Sequence, residues 1–222
     1  MRILQNKGKH KILSIMASEP LELIETAGRV AYQSWDKIKD GSAGKFVGMI
    51  RSRHHESVLE HSAMTVLFDN VSRGFTHELV RHRLASFTQE STRYVDESNL
   101  NVVIPPDKDP DEKLVTLIIG ENCYKISCRE WVGLNEQMYC GLKEEAGWIN
   151  EEARQFLPIG TKSQIVVTTN FREWRHIFEL RCSKAAHWEI RRVMLNLLID
   201  VQKRVPVIFD DFKVYSDYAE KT

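Results

Sequence analysis

An α+β fold, a single mixed helix and sheet domain with a central β-sheet and flanking helices, is what the sequence predicts over residues 1–222. Three observations carry that expectation. Short segments of period-two apolar residues alternate with longer segments of helical period. No internal repeat recurs along the chain, and no low-complexity linker divides it. A chain of this length buries well over half of the surface its unfolded form exposes, so one sizeable core is available.

Ile12 to Met16 and Ser62 to Asp69 read as strands, the second alternating Met64, Val66 and Phe68 with Thr65 and Leu67. Helix lies between them. Pro20 suits a first turn, Leu21, Ile24, Val30 and Tyr32 continue the apolar pattern, and a second helical stretch runs from about Lys45 to Arg53. Ser72 to Leu84 reads as a helix striped by Phe75, Leu79 and Val80, followed by a polar segment from Ser86 to Glu97. Pro105, Pro106 and Pro110 mark a loop. Beyond it, Leu114, Leu117, Ile118, Tyr124, Trp131, Leu134 and Met138 predict one or two long amphipathic helices. Gln164 to Thr169 reads as a strand, and Asn170 with Glu173 has the spacing of an N-cap and its partner, opening a helix that carries Trp174, Ile177, Phe178 and Arg181. A last helix covers Trp188 to Arg204, striped by Ile190, Val193, Met194, Leu197, Leu198 and Val201.

Lys plus Arg equals Asp plus Glu at 31 each, so no global field gathers polyanions and a general nucleic-acid binder is not expected. Any anion site is local. Cys123, Cys128, Cys140 and Cys182 form no Cys-x-x-Cys pair and no signal-like apolar stretch opens the sequence, which points to a reduced, cytoplasmic protein. Charged residues interrupt every hydrophobic segment, so no membrane span is expected. His54, His55 and His61 have no zinc-binding helical spacing, and no metal is expected. The glycines form neither a dinucleotide-binding turn nor a Walker loop.

The densest chemical signal is Arg81-His82-Arg83, followed by Gln89, Glu90, Ser91, Arg93 and Tyr94. Successive helical residues point about 100° apart, so Arg81 and Arg83 serve two adjacent anions better than one. Gln89, Ser91 and Arg93 can offer amides, hydroxyls and a guanidinium fork to a phosphate, where each charge-assisted bond contributes roughly 1.5–3 kcal/mol.

An RHR triplet, seven residues, Ser, any residue and Arg resembles the signature of the flavin-dependent thymidylate synthases, with Arg81, His82, Arg83, Ser91 and Arg93 in register and Ser86 and Tyr94 agreeing with its extended form. Three more blocks resemble the family in order: His55-Glu56-Ser57, Arg154-Gln155-Phe156-Leu157-Pro158, and Asn170-Phe171-Arg172 continuing to His176 and Arg181. The resemblance implies reductive methylation of dUMP to dTMP, with FAD as cofactor and NADPH and 5,10-methylenetetrahydrofolate as co-substrates. It implies a non-Rossmann flavin site at the subunit interfaces of a homotetramer. By motif position, His55, Ser57, Arg81, His82, Arg83, Gln89, Asn170, Arg172 and His176 would hold FAD. Arg81, Gln89, Glu90, Ser91, Arg93, Arg154 and Arg181 would bind dUMP, with Arg181 the catalytic candidate that stabilises charge on the uracil ring. Glu78 stands where relatives often carry glutamine, and is left out because a carboxylate beside a phosphate is repelled unless neutralised. Cys182 is read as structural and Ser91 as a phosphate ligand, with no histidine placed to activate it. Two other classes stay in view: a nucleotide-binding module without turnover, which would lack FAD, and a metal-dependent phosphohydrolase using the histidines.

Overall fold

A computed structural model describes residues 1–16 and 18–212; the end of the expected domain, 213–222, lies outside the described residues. Its strands are β1 (Arg2–Leu4), β2 (Lys9–Ile15), β3 (Ala63–Ser72), β4 (Ser86–Gln89), β5 (Asn101–Val103), β6 (Val115–Ile119), β7 (Asn122–Ile126) and β8 (Lys162–Asn170). Its helices are α1 (Pro20–Val30), α2 (Ser42–Ser52), α3 (Arg73–Leu79), α4 (Cys128–Glu144), α5 (Asn150–Ala153), α6 (Phe171–Arg181), α7 (Trp188–Arg204) and α8 (Pro206–Phe209). The main sheet has the order β2-β3-β8-β4; β1 pairs with β5 in parallel, and β6 pairs with β7 antiparallel. The chain divides into two compact units. Among the described residues, one takes Met1–Lys9, Phe68–Glu78 and Gln89–Ile165; the other takes His10–Leu67, Leu79–Thr88 and 166–212.

The second unit is built on apolar stripes. Pro20 occupies the first turn of α1, where its missing N–H costs nothing, and α7 buries every residue of its expected stripe from Ile190 to Val201. Phe171 and Phe178 of α6 meet Phe209 edge to face, each at 5.6 Å, and the Trp174 indole donates to the Met64 carbonyl at 3.0 Å. Gly28 of α1 is required by close approach: a Cβ there would stand 2.4 Å from the Phe46 ring of α2. Asn170 caps α6 as its spacing predicts, its side chain accepting from the Glu173 N–H at 2.9 Å.

In the first unit Leu100, Val102 and Val132 form a small core covered by Met1, Ile104 and Leu157. Here the segment predicted as helix from Leu114 onward divides. Residues 115–126 form the β6–β7 hairpin, and only the part from Cys128 is helical, opened by a capping box of Ser127 and Glu130. The run Val115-Thr116-Leu117-Ile118-Ile119 is rich in β-branched residues, and Gly120 takes a positive φ of 60° at the tight turn. Those residues override the apolar spacing, which Leu117 and Tyr124 satisfy equally well as cross-strand partners. The helix predicted from Ser72 to Leu84 likewise stops at Leu79, and part of the polar segment after it becomes β4.

Candidate functional site

The RHR triplet occupies the turn that leaves α3, so it is released from helical geometry. His82 N–H donates to the Leu79 carbonyl at 3.2 Å, Ala85 N–H donates to the His82 carbonyl at 3.2 Å, and the Thr169 hydroxyl closes the turn on the Leu84 carbonyl at 2.8 Å. Arg81 and Arg83 are exposed, whereas His82 between them is 4 % exposed. This alternation divides the triplet into two outward cations and one inward ring.

Around that ring the second unit assembles a polar cluster. Arg181 Nε donates to His82 Nε2 at 3.0 Å, and Glu173 Oε1 stands 3.3 Å from His82 Nδ1. His176 meets the His82 ring edge to face at 5.7 Å. Burial foremost, then the charges of Arg181 and His176, holds the His82 pKa down to about 4, so the ring is neutral at pH 7. Burial pushes the Glu173 carboxyl above its ordinary range, opposed by His176. The sequence assigned His82 and His176 to the cofactor and Arg181 to the substrate; the fold brings all three side chains together. The sequence missed Glu173, whose capping spacing was visible but whose carboxylate turns to the histidine.

His55 and Ser57 line a cavity of about 760 Å³ in the same unit, together with Arg29, Tyr32, Arg53 and His61. Arg172 reaches its lining through Glu60, donating from Nη1 to Oε1 at 2.5 Å. The donor set of this cavity is basic and hydroxyl-bearing, the chemistry that a diphosphate-bearing cofactor such as FAD asks of a site without a glycine-rich turn.

The first unit holds the other candidates. Arg93 pairs with Glu151 at 3.0 Å, both about half exposed, and its guanidinium lies 5.5 Å from the Tyr94 ring centroid. Arg154 converges on the same residue, donating from Nε to the Glu151 carbonyl at 3.2 Å. The Ser91 carbonyl accepts from the N–H groups of Tyr94 and Val95 at 3.1 and 2.9 Å, which folds residues 91–95 into a turn that presents Arg93. Gln89 and Glu90 instead act as struts. The Gln89 amide donates to Thr76 at 2.9 Å and to Ser163 at 3.2 Å, and the Glu90 carboxylate pairs with Lys162 at 3.1 Å. Glu97 is 6 % exposed; burial foremost, then the Glu90 charge, raises its pKa, while Lys162 and Arg73 lower it. No local motif marks Arg73, Glu97, Glu151 and Lys162; each reaches its partners only through the fold.

Cys182 is 5 % exposed and burial pushes its thiol up to about 12, which leaves no thiolate for nucleophilic attack near neutrality. Among the described residues, no helix is long and apolar enough to cross a membrane.

The sequence model of the thymidylate synthase complementing protein family matches residues 11–207. A flavin-dependent thymidylate synthase of Mycobacteroides abscessus is 37% identical over 200 residues, covering 86% of this chain and 79% of that protein. The flavin-dependent thymidylate synthase of Mycobacterium leprae is 38% identical over 205 residues, covering 86% and 80%. Among solved structures, thymidylate synthase X of Helicobacter pylori with FAD and dUMP aligns with a TM-score of 0.69 at 20% identity, covering 92% of this chain and 98% of that one. The UMP/dUMP methylase PolB of Streptomyces cacaoi, bound with 5-Br dUMP, aligns at 0.72 with 22% identity and 98% coverage of both chains. At these identities the structural likeness establishes the fold.

Proposed function

The chain belongs to the flavin-dependent thymidylate synthase family, and on that premise we propose that it methylates dUMP at C5 to give dTMP, using FAD, NADPH and 5,10-methylenetetrahydrofolate. The single observation that supports this reading best is the order created at the signature triplet. One histidine is buried and neutral, and it holds the guanidinium of the arginine expected to serve the uracil ring.

The roles follow from the chemistry available. Arg93, Ser91 and Arg154 bind the nucleotide phosphate, and the phosphate displaces Glu151 from the Arg93 fork, exchanging a half-exposed carboxylate pair for a more highly charged one. Methylation at C5 needs electron density there, so negative charge grows on the ring's N3 and carbonyl oxygens; Arg181 supplies the fixed positive charge that stabilises it. No enzymic nucleophile is required of Ser91 or Cys182.

His55, Ser57, Arg81, Arg83, Arg172 and the Asn170 amide would hold FAD, with His82 and His176 beside it. Gln89, carried into both sets by its motif position, serves the site by bracing the loop through Thr76 and Ser163. When bound, FAD supplies the two-electron chemistry between NADPH and the nucleotide. Arg81 would be shared between the two ligands, and Glu90 supports the nucleotide loop through Lys162. We read the assembly as a homotetramer working in the cytoplasm, with residues 1–222 acting as one catalytic domain.

A visible absorption spectrum of the purified protein tests the reading. Bands of oxidised flavin that bleach on adding NADPH, and dTMP formed when dUMP and methylenetetrahydrofolate follow, are expected. A colourless protein that takes up no added FAD would overturn it.

A further inference from the structure

We infer that Glu173 is a positioning residue for Arg181, acting through the imidazole of His82; the inference deepens the reading of Arg181 as the group that stabilises charge on the pyrimidine. Donor and acceptor chemistry orders the three groups. A neutral imidazole has one N–H and one lone pair. Arg181 Nε can only donate, and it lies 3.0 Å from His82 Nε2, so Nε2 carries the lone pair. The proton is then on Nδ1, which faces the Glu173 carboxylate at 3.3 Å, a group that only accepts when ionised. The chain runs in one sense, from guanidinium to ring to carboxylate, and each member fixes the next.

Burial makes this ordering consequential. His82 is 4 % exposed and Glu173 is 7 % exposed, so solvent offers a poor replacement for either partner. Glu173 and Arg181 lie eight residues apart on α6, about 12 Å along its axis at 1.5 Å per residue, and the ring from the turn after α3 bridges that interval. Without the carboxylate, His82 is released to carry its proton on Nε2. It would then meet Arg181 donor against donor, and the planar guanidinium would swing away. A bland alternative assigns Glu173 only to the first turn of α6, where any acid favours the helix dipole. That role predicts no change in the histidine tautomer.

The test labels the histidines of the full-length holoenzyme with ¹⁵N and reads the two ring nitrogens of His82 at pH 7, assigned by their loss in His82→Gln. The wild type should show a protonated Nδ1 and a bare Nε2. Glu173→Ala should move the proton toward Nε2 and lower kcat by roughly ten- to a hundredfold, while the dUMP KM stays within about threefold and the flavin bands persist. Glu173→Gln, whose carbonyl oxygen still accepts from Nδ1–H, should keep the tautomer and most of the turnover. It carries the test where the alanine variant fails to fold. An Nε2-protonated His82 in the wild type would overturn the inference. So would a Glu173→Ala protein with unchanged tautomer and turnover, or a glutamine variant as slow as alanine with the tautomer intact. If Glu173→Ala shifts the tautomer and both it and Arg181→Ala turn over normally, the relay stands and the assigned role of Arg181 falls instead.

Discussion

Two arginines of the same expected substrate set live under opposite conditions. Arg181 is anchored through its Nε to a buried, neutral histidine, whereas Arg93 shares a carboxylate with solvent on a turn. The first is preorganised: its direction is set before any ligand arrives, and the surrounding burial strengthens each charge it faces. The second is exchangeable, since a half-exposed ion pair contributes about 0–1 kcal/mol and yields readily to a phosphate. The contrast separates two tasks, stabilising charge that develops during reaction and gripping charge already present.

The sharpest way to break this division is Arg93→Ala. Removing a phosphate fork should raise the dUMP dissociation constant by roughly ten- to a hundredfold, matching 1.5–3 kcal/mol per charge-assisted bond, with flavin occupancy nearly unchanged. Calorimetric titration with dUMP measures it, and equal affinity in both proteins would refute the assignment. Arg181→Ala should do the reverse, lowering dTMP formation by at least about tenfold, or 1.4 kcal/mol of barrier, with fold and FAD content retained. Single-turnover rates in saturating dUMP would expose an error here as unaltered chemistry.

The buried cluster should also leave a mark on stability. An unfolded histidine titrates near 6.5 and His82 near 4, so between those values the unfolded chain holds the extra proton. The histidine's contribution is complete above about pH 6.5 and is lost as pH falls toward 4. The raised Glu173 carboxyl works in the opposite sense, binding its proton more readily when folded. Urea midpoints of wild type and His82→Gln should therefore draw together between pH 7 and pH 5, and a constant gap would contradict the low histidine pKa. The smallest effect belongs to the exposed pair. Glu151→Gln frees the Arg93 fork and should tighten dUMP binding by no more than about fivefold, in keeping with a surface ion pair; weaker binding would show Glu151 to be a support instead of a competitor.

Much of this was legible in the sequence because the decisive residues are local. The cap at Asn170, the stripe of α7 and the proline at the start of α1 are short-range patterns, and the structure places them as expected. The β6–β7 hairpin was read as helix because apolar residues spaced along 114–126 fit both periods, and only the β-branched run and Gly120 distinguish them. Glu173, Glu151, Lys162, Arg73 and Glu97 were illegible for another reason. Their partners lie tens of residues away, as Lys162 does from Glu90 and Glu173 from His82. A carboxylate's burial is a property of the folded neighbourhood, which no spacing rule encodes.

Asn170 brings a last constraint. The helix start uses one lone pair of its Oδ1 for the Glu173 N–H, which fixes the side chain and with it the direction of its NH₂ group. Any visiting molecule would meet that donor in a direction already set. A flavin that used it would turn a carbonyl or an unprotonated ring nitrogen toward it, and the orientation of the cofactor is narrowed by the need to begin a helix.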